Sequence, residues 1–203
     1  MSNNNYPKAW SRFFSENRES DSILPEDLVN NFAQLSRWSA WFRLAKSFKG
    51  LDLGDTYSGV DTPQLYSAIT RIFLVYSAFE TYCYIIGLKP NKESQIKFIQ
   101  NAQSQEEIIK AIRDLDPSNN ISNFLEQHST GKDIKQMMCD FKAGDDINVS
   151  CFARSIRHVF AHGILSANST GLSPKRFNQL SLIISNFLLD CMDEDFDRRI
   201  PFQ

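Results

Sequence analysis

The stretch TPQLYSAITRIFLVYSAFETYCYIIG, residues 62–87, decides the fold class. Thr62-Pro63 reads as a helix start, an N-cap followed by proline at the first helical position, where the missing N–H costs nothing. Leu65, Ile69, Ile72, Phe73, Tyr76, Phe79, Tyr82, Cys83 and Ile86 then recur at helical spacing, and Gly87 supplies the stop. Apolar residues surround most of the circumference, so this helix belongs at the centre of a helical protein. Glu80 is the exception. An ionised carboxylate in so apolar a segment costs several kcal/mol unless it is paired, so it should meet a cation: Arg154 or Arg157 further along, or else Arg71 or Lys97.

The segments around it are helical as well. After Pro25, the residues Glu26 and Asp27 lead into Leu28, Phe32, Leu35, Trp38, Trp41, Phe42 and Ala45, spaced by three and four and closed by Gly50. The three aromatics of this run, Trp38, Trp41 and Phe42, read as core packing rather than as a base-stacking platform. Ser173-Pro174 opens a last helix carrying Phe177, Leu180, Leu182, Ile183, Phe187, Leu188 and Cys191, after a polar loop at Ser166–Gly171. No segment alternates as a strand does. The expected fold is all-α, with four principal helices near 25–49, 62–86, 147–163 and 173–196 forming a bundle.

Two further regions are distinct. Residues 1–24 form a polar N-terminal arm whose Tyr6, Trp10, Phe13 and Phe14 can dock on the body, residues 25–203, which read as one helical domain. Within that body, about 89–144 breaks into shorter amphipathic helices: one after Ser104-Gln105-Glu106-Glu107, which has the form of a capping box, ending at Asp116-Pro117, then Ser118–His128 and Lys132–Lys142. This is a helical insertion beside the core. The glycines Gly50, Gly54 and Gly59 lack a following GK[ST], and in Ser129-Thr130-Gly131-Lys132 an aspartate, Asp133, stands where a phosphate loop needs Ser or Thr, so both are turns.

Composition bounds the function classes. The 203 residues are 42% hydrophobic and 23% charged, and 22 basic against 24 acidic residues leave a net charge of −2, so any polyanion site must be local. Cys83, Cys139, Cys151 and Cys191 are scattered without a C-x-x-C pair, as in a protein with reduced thiols. No basic region followed by an apolar run opens the chain, and the apolar stretch 72–88 is interrupted by Ser77, Glu80 and Thr81, so neither a signal peptide nor a membrane span is expected. The expected location is the cytoplasm.

A local anion site is expected at Arg154-Ser155-Ile156-Arg157-His158-Val159-Phe160-Ala161-His162-Gly163. At about 100° per residue, Phe152, Ile156, Val159 and Phe160 gather on one side, and Cys151, Arg154, Arg157, His158 and His162 on the other. No carboxylate occurs from Cys151 to Gly163. Approach to this helix is capped by Asp145 or Asp146, and the helix runs from about Asn148 to Gly163. Histidine titrates near working pH and can take or give a proton, while arginine's planar fork fits phosphate oxygens. These are the groups that RNA cleavage by its own 2′-hydroxyl needs, without metal or cofactor. A zinc site built from Cys151, His158 and His162 lacks a fourth ligand and places arginines beside the metal.

Arg157, a polar residue directly after it, three more residues and then His162 resemble the arginine-histidine motif of the HEPN superfamily, and Tyr76-Ser77-Ala78-Phe79-Glu80 resembles the second core helix of several members. The resemblance implies a HEPN-like four-helix core and a metal-independent endoribonuclease, a toxin or defence-related effector. Arg157, His162 and His158 would be catalytic, with Glu80 and Arg154 in support. It further implies a homodimer in which two motifs meet across a two-fold axis, RNA as substrate, and an antitoxin or other regulatory protein as partner. The alternative is a noncatalytic helical module that binds RNA or protein.

Overall fold

The structure, a computed structural model, describes residues 5–18, 24–57, 59–92, 95–100, 104–163 and 173–201. The Ser166–Gly171 loop expected from the sequence lies outside them. Every extended element among the described residues is helical: α1 Trp10–Glu16, α2 Glu26–Val29, α3 Phe32–Ser47, α4 Asp61–Ile85, α5 Lys97–Gln100, α6 Gln105–Leu115, α7 Asn120–His128, α8 Lys132–Ala143, α9 Ser150–Ala161 and α10 Pro174–Arg199, with a single 3₁₀ turn at Gly54–Thr56.

Helix α4 is central, packed by α3, α9 and α10. Its length follows from an interior without glycine or proline, and its few hydroxyls are absorbed locally: Ser77 Oγ donates to the Phe73 carbonyl and Thr81 Oγ1 to that of Ser77, each at 2.8 Å. Gly87, at φ +73°, ends it in a left-handed turn, with the Leu88 N–H reaching back to the Cys83 carbonyl at 2.8 Å. The start differs from the sequence expectation. The helix begins at Asp61, its N-cap Val60 makes no side-chain bond, and Thr62 already lies inside.

The region near 25–49 is two helices, because Asn30 and Asn31 interrupt it; Asn31 donates its side-chain amide to the Asp27 carbonyl at 2.7 Å. Trp38 and Phe42 are fully buried, but Trp41, expected in the core with them, is 37% exposed. The core around Trp38 is aromatic: its ring centroid lies 4.7 Å from Tyr82 and 4.9 Å from Phe196 of α10. The Tyr82 hydroxyl donates to Asp195 at 2.7 Å, and Arg199 binds the same carboxylate oxygen. Burial, reinforced by Asp195, raises the Tyr82 pKa well above its usual value.

The short helices between residues 89 and 144 contribute to the same buried cluster rather than hanging from it. Helices α5 and α6 pack on α10, while α7 and α8 pair with each other and contact α9. Ser104 precedes α6 as expected, yet its side chain makes no cap bond, because its backbone is already helical (φ −85°, ψ −2°) and the hydroxyl is not set for the N2 and N3 amides. Asp116 serves α7 instead, accepting from the Asn120 and Ile121 N–H groups at 2.8 Å each. Ser173-Pro174 does start α10, with Ser173 Oγ accepting from Arg176 N–H at 3.3 Å.

The N-terminal arm is docked. Phe13 is fully buried, 5.7 Å from Phe196 between ring centroids; the Lys8 N–H donates to Asp193 at 2.7 Å, and Arg12 binds Asp197 and the Ile200 carbonyl, each at 3.0 Å. No helix among the described residues is long and apolar enough to cross a membrane. Two neighbouring tryptophans of α3 separate core from surface experimentally. Trp38→Ala is expected to lower the unfolding free energy by about 3–5 kcal/mol, and Trp41→Ala by less than about 1 kcal/mol, read from urea denaturation curves of the two variants.

Candidate functional site

Helix α9 has a side-chain start that the sequence masks. Asn148, one residue before the N-cap Val149, accepts at Oδ1 from the Ser150 N–H at 3.0 Å and from Ser150 Oγ at 2.7 Å and so holds the first turn, whereas Asp146 is held by Arg113 at 3.1 Å. The expected cap at Asp145 or Asp146 is corrected accordingly. At the other end Ala161 is the last helical residue, and Gly163, at φ +70°, takes the left-handed position that lets its N–H return to the Phe160 carbonyl at 2.9 Å.

The apolar face of α9 is as expected: Phe152, Ile156 and Val159 are fully buried. Cys151 is not on the polar face. It is also fully buried, with its Sγ 3.9 Å from Ser155 Oγ, so it does not share a surface with the exposed His162. Among the described residues no group of three His, Cys, Asp or Glu side chains is arranged to hold a metal.

The remaining polar residues of α9 meet α4 in a cleft of about 420 Å³ lined by Phe73, Tyr76, Glu80, Tyr84, Arg154, Arg157 and His158, closed on one side by Pro90 and Asn91. Arg157 Nη2 lies 3.2 Å from Glu80 Oε2. This is the cationic partner that the apolar setting of Glu80 demanded, while Arg71 is directed to Asn178 and Ser181. The Arg157 guanidinium also lies 5.2 Å from the Tyr76 ring centroid and 5.7 Å from that of Phe73, and aromatic faces attract cations at this range. Arg154 Nη1 donates to Asp133 of α8 at 2.8 Å. Against partial burial, which pulls the other way, that bond and charge hold the Asp133 carboxyl below its usual pKa. The arginine stripe is thus answered by acids from two other helices.

The histidines sit at the edge of this cleft. His158 forms part of its wall; His162, just beyond the helix end, is exposed and is not a lining residue. Their rings are in edge-to-face contact, centroids 4.5 Å apart. Thr130 approaches from the α7–α8 turn, with its Oγ1 3.0 Å from His158 Nε2 and its backbone N–H donating to the same nitrogen at 3.5 Å. A neutral His158 ring that accepts from the Thr130 N–H at Nε2 carries its proton on Nδ1. Burial, then the nearby charges of His162 and Arg154, lower the His158 pKa, and Asp133 opposes them.

Thr130, Asp133 and Tyr84 are the site residues the sequence did not single out. Tyr84 was accessible in principle: it lies four residues after Glu80 on the same helix face, and it is 63% exposed on the most apolar helix of the chain. It also lines a second, smaller cleft of about 260 Å³ together with Arg37 and Trp41, so the two hollows adjoin. Thr130 and Asp133 carry no local signal, since their role depends on how α8 packs against α9.

Neither protein-family models, curated proteins nor solved structures give a match to this chain.

The lowered pKa of His158 has a definite sign. The folded state favours the neutral ring, so its contribution to stability is complete above the unfolded value of about 6.5 and is lost as pH falls through the folded value. In NMR titrations His158 is expected to have a midpoint below about 6.5. His162→Ala should move it upward, while leaving it short of the unperturbed value because burial, the larger cause, persists.

Proposed function

We propose that the cleft between α4 and α9 is a metal-independent ribonuclease site of HEPN type, working on unpaired RNA. The observation that carries this is the Glu80–Arg157 ion pair, 3.2 Å long, lining a cleft together with His158, whose ring contacts the exposed His162 beside it. Arg157 is fixed by a carboxylate on one side and by the Tyr76 and Phe73 rings on the other, so its guanidinium is ordered before any substrate arrives. A preordered cation is what a phosphate gaining negative charge requires. The exposed faces of Tyr84 and Trp41 next to this cleft suit stacking of unpaired bases.

In the reaction, a base removes the 2′-hydroxyl proton as O2′ bonds to phosphorus. The phosphorus–O5′ bond then breaks, O5′ takes a proton from an acid, and a 2′,3′-cyclic phosphate and a 5′-hydroxyl result. His158 is poorly suited to be the base, because Thr130 engages its Nε2 lone pair; it orients His162 instead. That leaves one mobile proton carrier per chain, His162, where base and acid must act on opposite sides of one phosphate. A homodimer whose two α9 ends face each other supplies both. In such a protein an effector role in defence, restrained by an antitoxin or similar regulator, accounts for the need to control RNA cleavage.

A noncatalytic binding module is the second reading, favoured by the ion pairs that neutralise Arg154 and Arg157. The two separate on purified protein incubated with total RNA in EDTA. Cleavage is expected, with 2′,3′-cyclic phosphate ends and resistance of substrates carrying 2′-deoxy at the cut site. Arg157→Ala and His162→Ala should each reduce it at least about a hundredfold, and Glu80→Gln about tenfold through loss of arginine positioning, with the fold intact by circular dichroism. A heterodimer of wild-type and His162→Ala chains should lose far more than half the activity. RNA bound but never cut, with unchanged affinity in Arg157→Ala, favours the binding module.

A further inference from the structure

Arg71 lies nine residues before Glu80 on α4, about half a turn around the helix from it, and so belongs to a different face from the cleft above. It is only 6% exposed. Its Nη1 donates to Asn178 Oδ1 at 2.8 Å and to Ser181 Oγ at 3.0 Å, both uncharged, and its guanidinium is 5.6 Å from the Phe48 ring centroid. Among the described residues no carboxylate reaches ion-pair distance of it. The contrast with Arg12, Arg113, Arg154, Arg157, Arg198 and Arg199 is direct, since each of these has an acid within 4 Å although each is more exposed. A desolvated cation without a counter-charge is costly, and burial lowers the Arg71 pKa for that reason.

Arg71 lines a cleft of about 440 Å³ between the α3–α4 connection, the first turns of α4 and Asn178 of α10. Its other polar walls are Lys49, Tyr57, Gln64 and Ser67, and among the described residues no acid lines it. Lys49 is exposed, at the surface end of the cleft. The connecting backbone is held tightly against α4: the Leu51 N–H donates to Ser67 Oγ at 2.9 Å, and a Cβ on Gly50 would come within 3.3 Å of that oxygen. Tyr57 and Val60, 45% and 75% exposed, offer apolar surface at the mouth.

We infer that this cleft is a second anion site, taking the phosphate monoester of a mononucleotide between Arg71 and Lys49, with the base against Tyr57. Two cations match the two charges of a phosphate monoester. The edge of the guanidinium not engaged by Asn178 and Ser181 supplies hydrogen bonds of the kind arginine gives phosphate. The volume lies in the range of small-ligand pockets. The site is independent of any RNA cleavage in the α4–α9 cleft.

The test is calorimetric titration of the full chain with AMP, inorganic phosphate and adenosine as probes. AMP should bind and raise the melting temperature, phosphate should bind at least about tenfold more weakly, and adenosine should give no heat. Lys49→Gln is expected to weaken AMP binding about three- to tenfold and Arg71→Gln more than about tenfold, while Arg157→Ala leaves it unchanged. Should Arg71→Gln fail to fold, AMP-induced amide shifts in the wild-type protein decide, because the site requires them to centre on Leu51, Gln64 and Ser67. Absence of AMP binding, affinity unaltered by Lys49→Gln, loss of binding in Arg157→Ala, or shifts centred elsewhere would each overturn the proposal. Phosphate binding as tightly as AMP would overturn the nucleotide assignment.

Discussion

A carboxylate on the most apolar helix of a protein constrains everything packed against it. Glu80 projects from α4 into a half-open cleft lined by Phe73 and Tyr76, where a cation brought from another helix answers its charge. Arg157 of α9 meets that demand at 3.2 Å. The pair fixes the register of α9 against α4, and with it the positions of Arg154, one turn earlier, and of His158 beside it. The pair is partly exposed, 33% at Arg157 and 29% at Glu80, so water screens it, and losing one partner loosens the contact without stranding a fully buried charge. The cleft and the α4–α9 contact thus share this pair, alongside the apolar packing of Phe152, Ile156 and Val159.

The same arithmetic separates the arginine of α4 held by uncharged partners, Arg71, from the two of α9 held by charged ones. Arg157 and Arg154 are balanced by Glu80 and Asp133, whereas the more deeply buried Arg71 has amide and hydroxyl acceptors only. Net charge, which is near zero for this chain, conceals that difference. What matters for an incoming anion is the charge left after internal pairing, summed over one cleft rather than over the molecule.

Much of the helical framework is legible in the sequence because it is written locally. The stops at Gly87 and Gly163 and the start at Ser173-Pro174 need only a few neighbouring residues, and all three are seen. Caps with several nearby candidates are less legible. Thr62, Ser104, Asp145 and Asp146 look as competent as Asn148, but the backbone at Ser104 is already helical, Asp146 is claimed by Arg113, and Asn148 takes the bond. The cleft divides in the same way. Glu80 and the arginines stand out because an acid in an apolar helix, and a run of bases without acids, are anomalies visible in one dimension. Thr130 and Asp133 are ordinary turn and helix-start residues until α8 is laid beside α9. Helical angle places Trp41 and Cys151 on a face but does not say how wide the buried stripe is, and the stripe leaves Trp41 out and takes Cys151 in.

The docked arm bears on how the protein is made. The contacts of Lys8 with Asp193 and of Arg12 with Asp197 join residues 185 positions apart. At ribosomal speeds of about 5–20 residues per second, the arm waits roughly 10–40 s for its partners to be synthesised. Throughout that interval Phe13, fully buried in the finished molecule, has no α10 surface to cover it. Until α10 emerges, the face of Phe13 that meets Phe196 is uncovered, a window in which a chaperone can hold the arm.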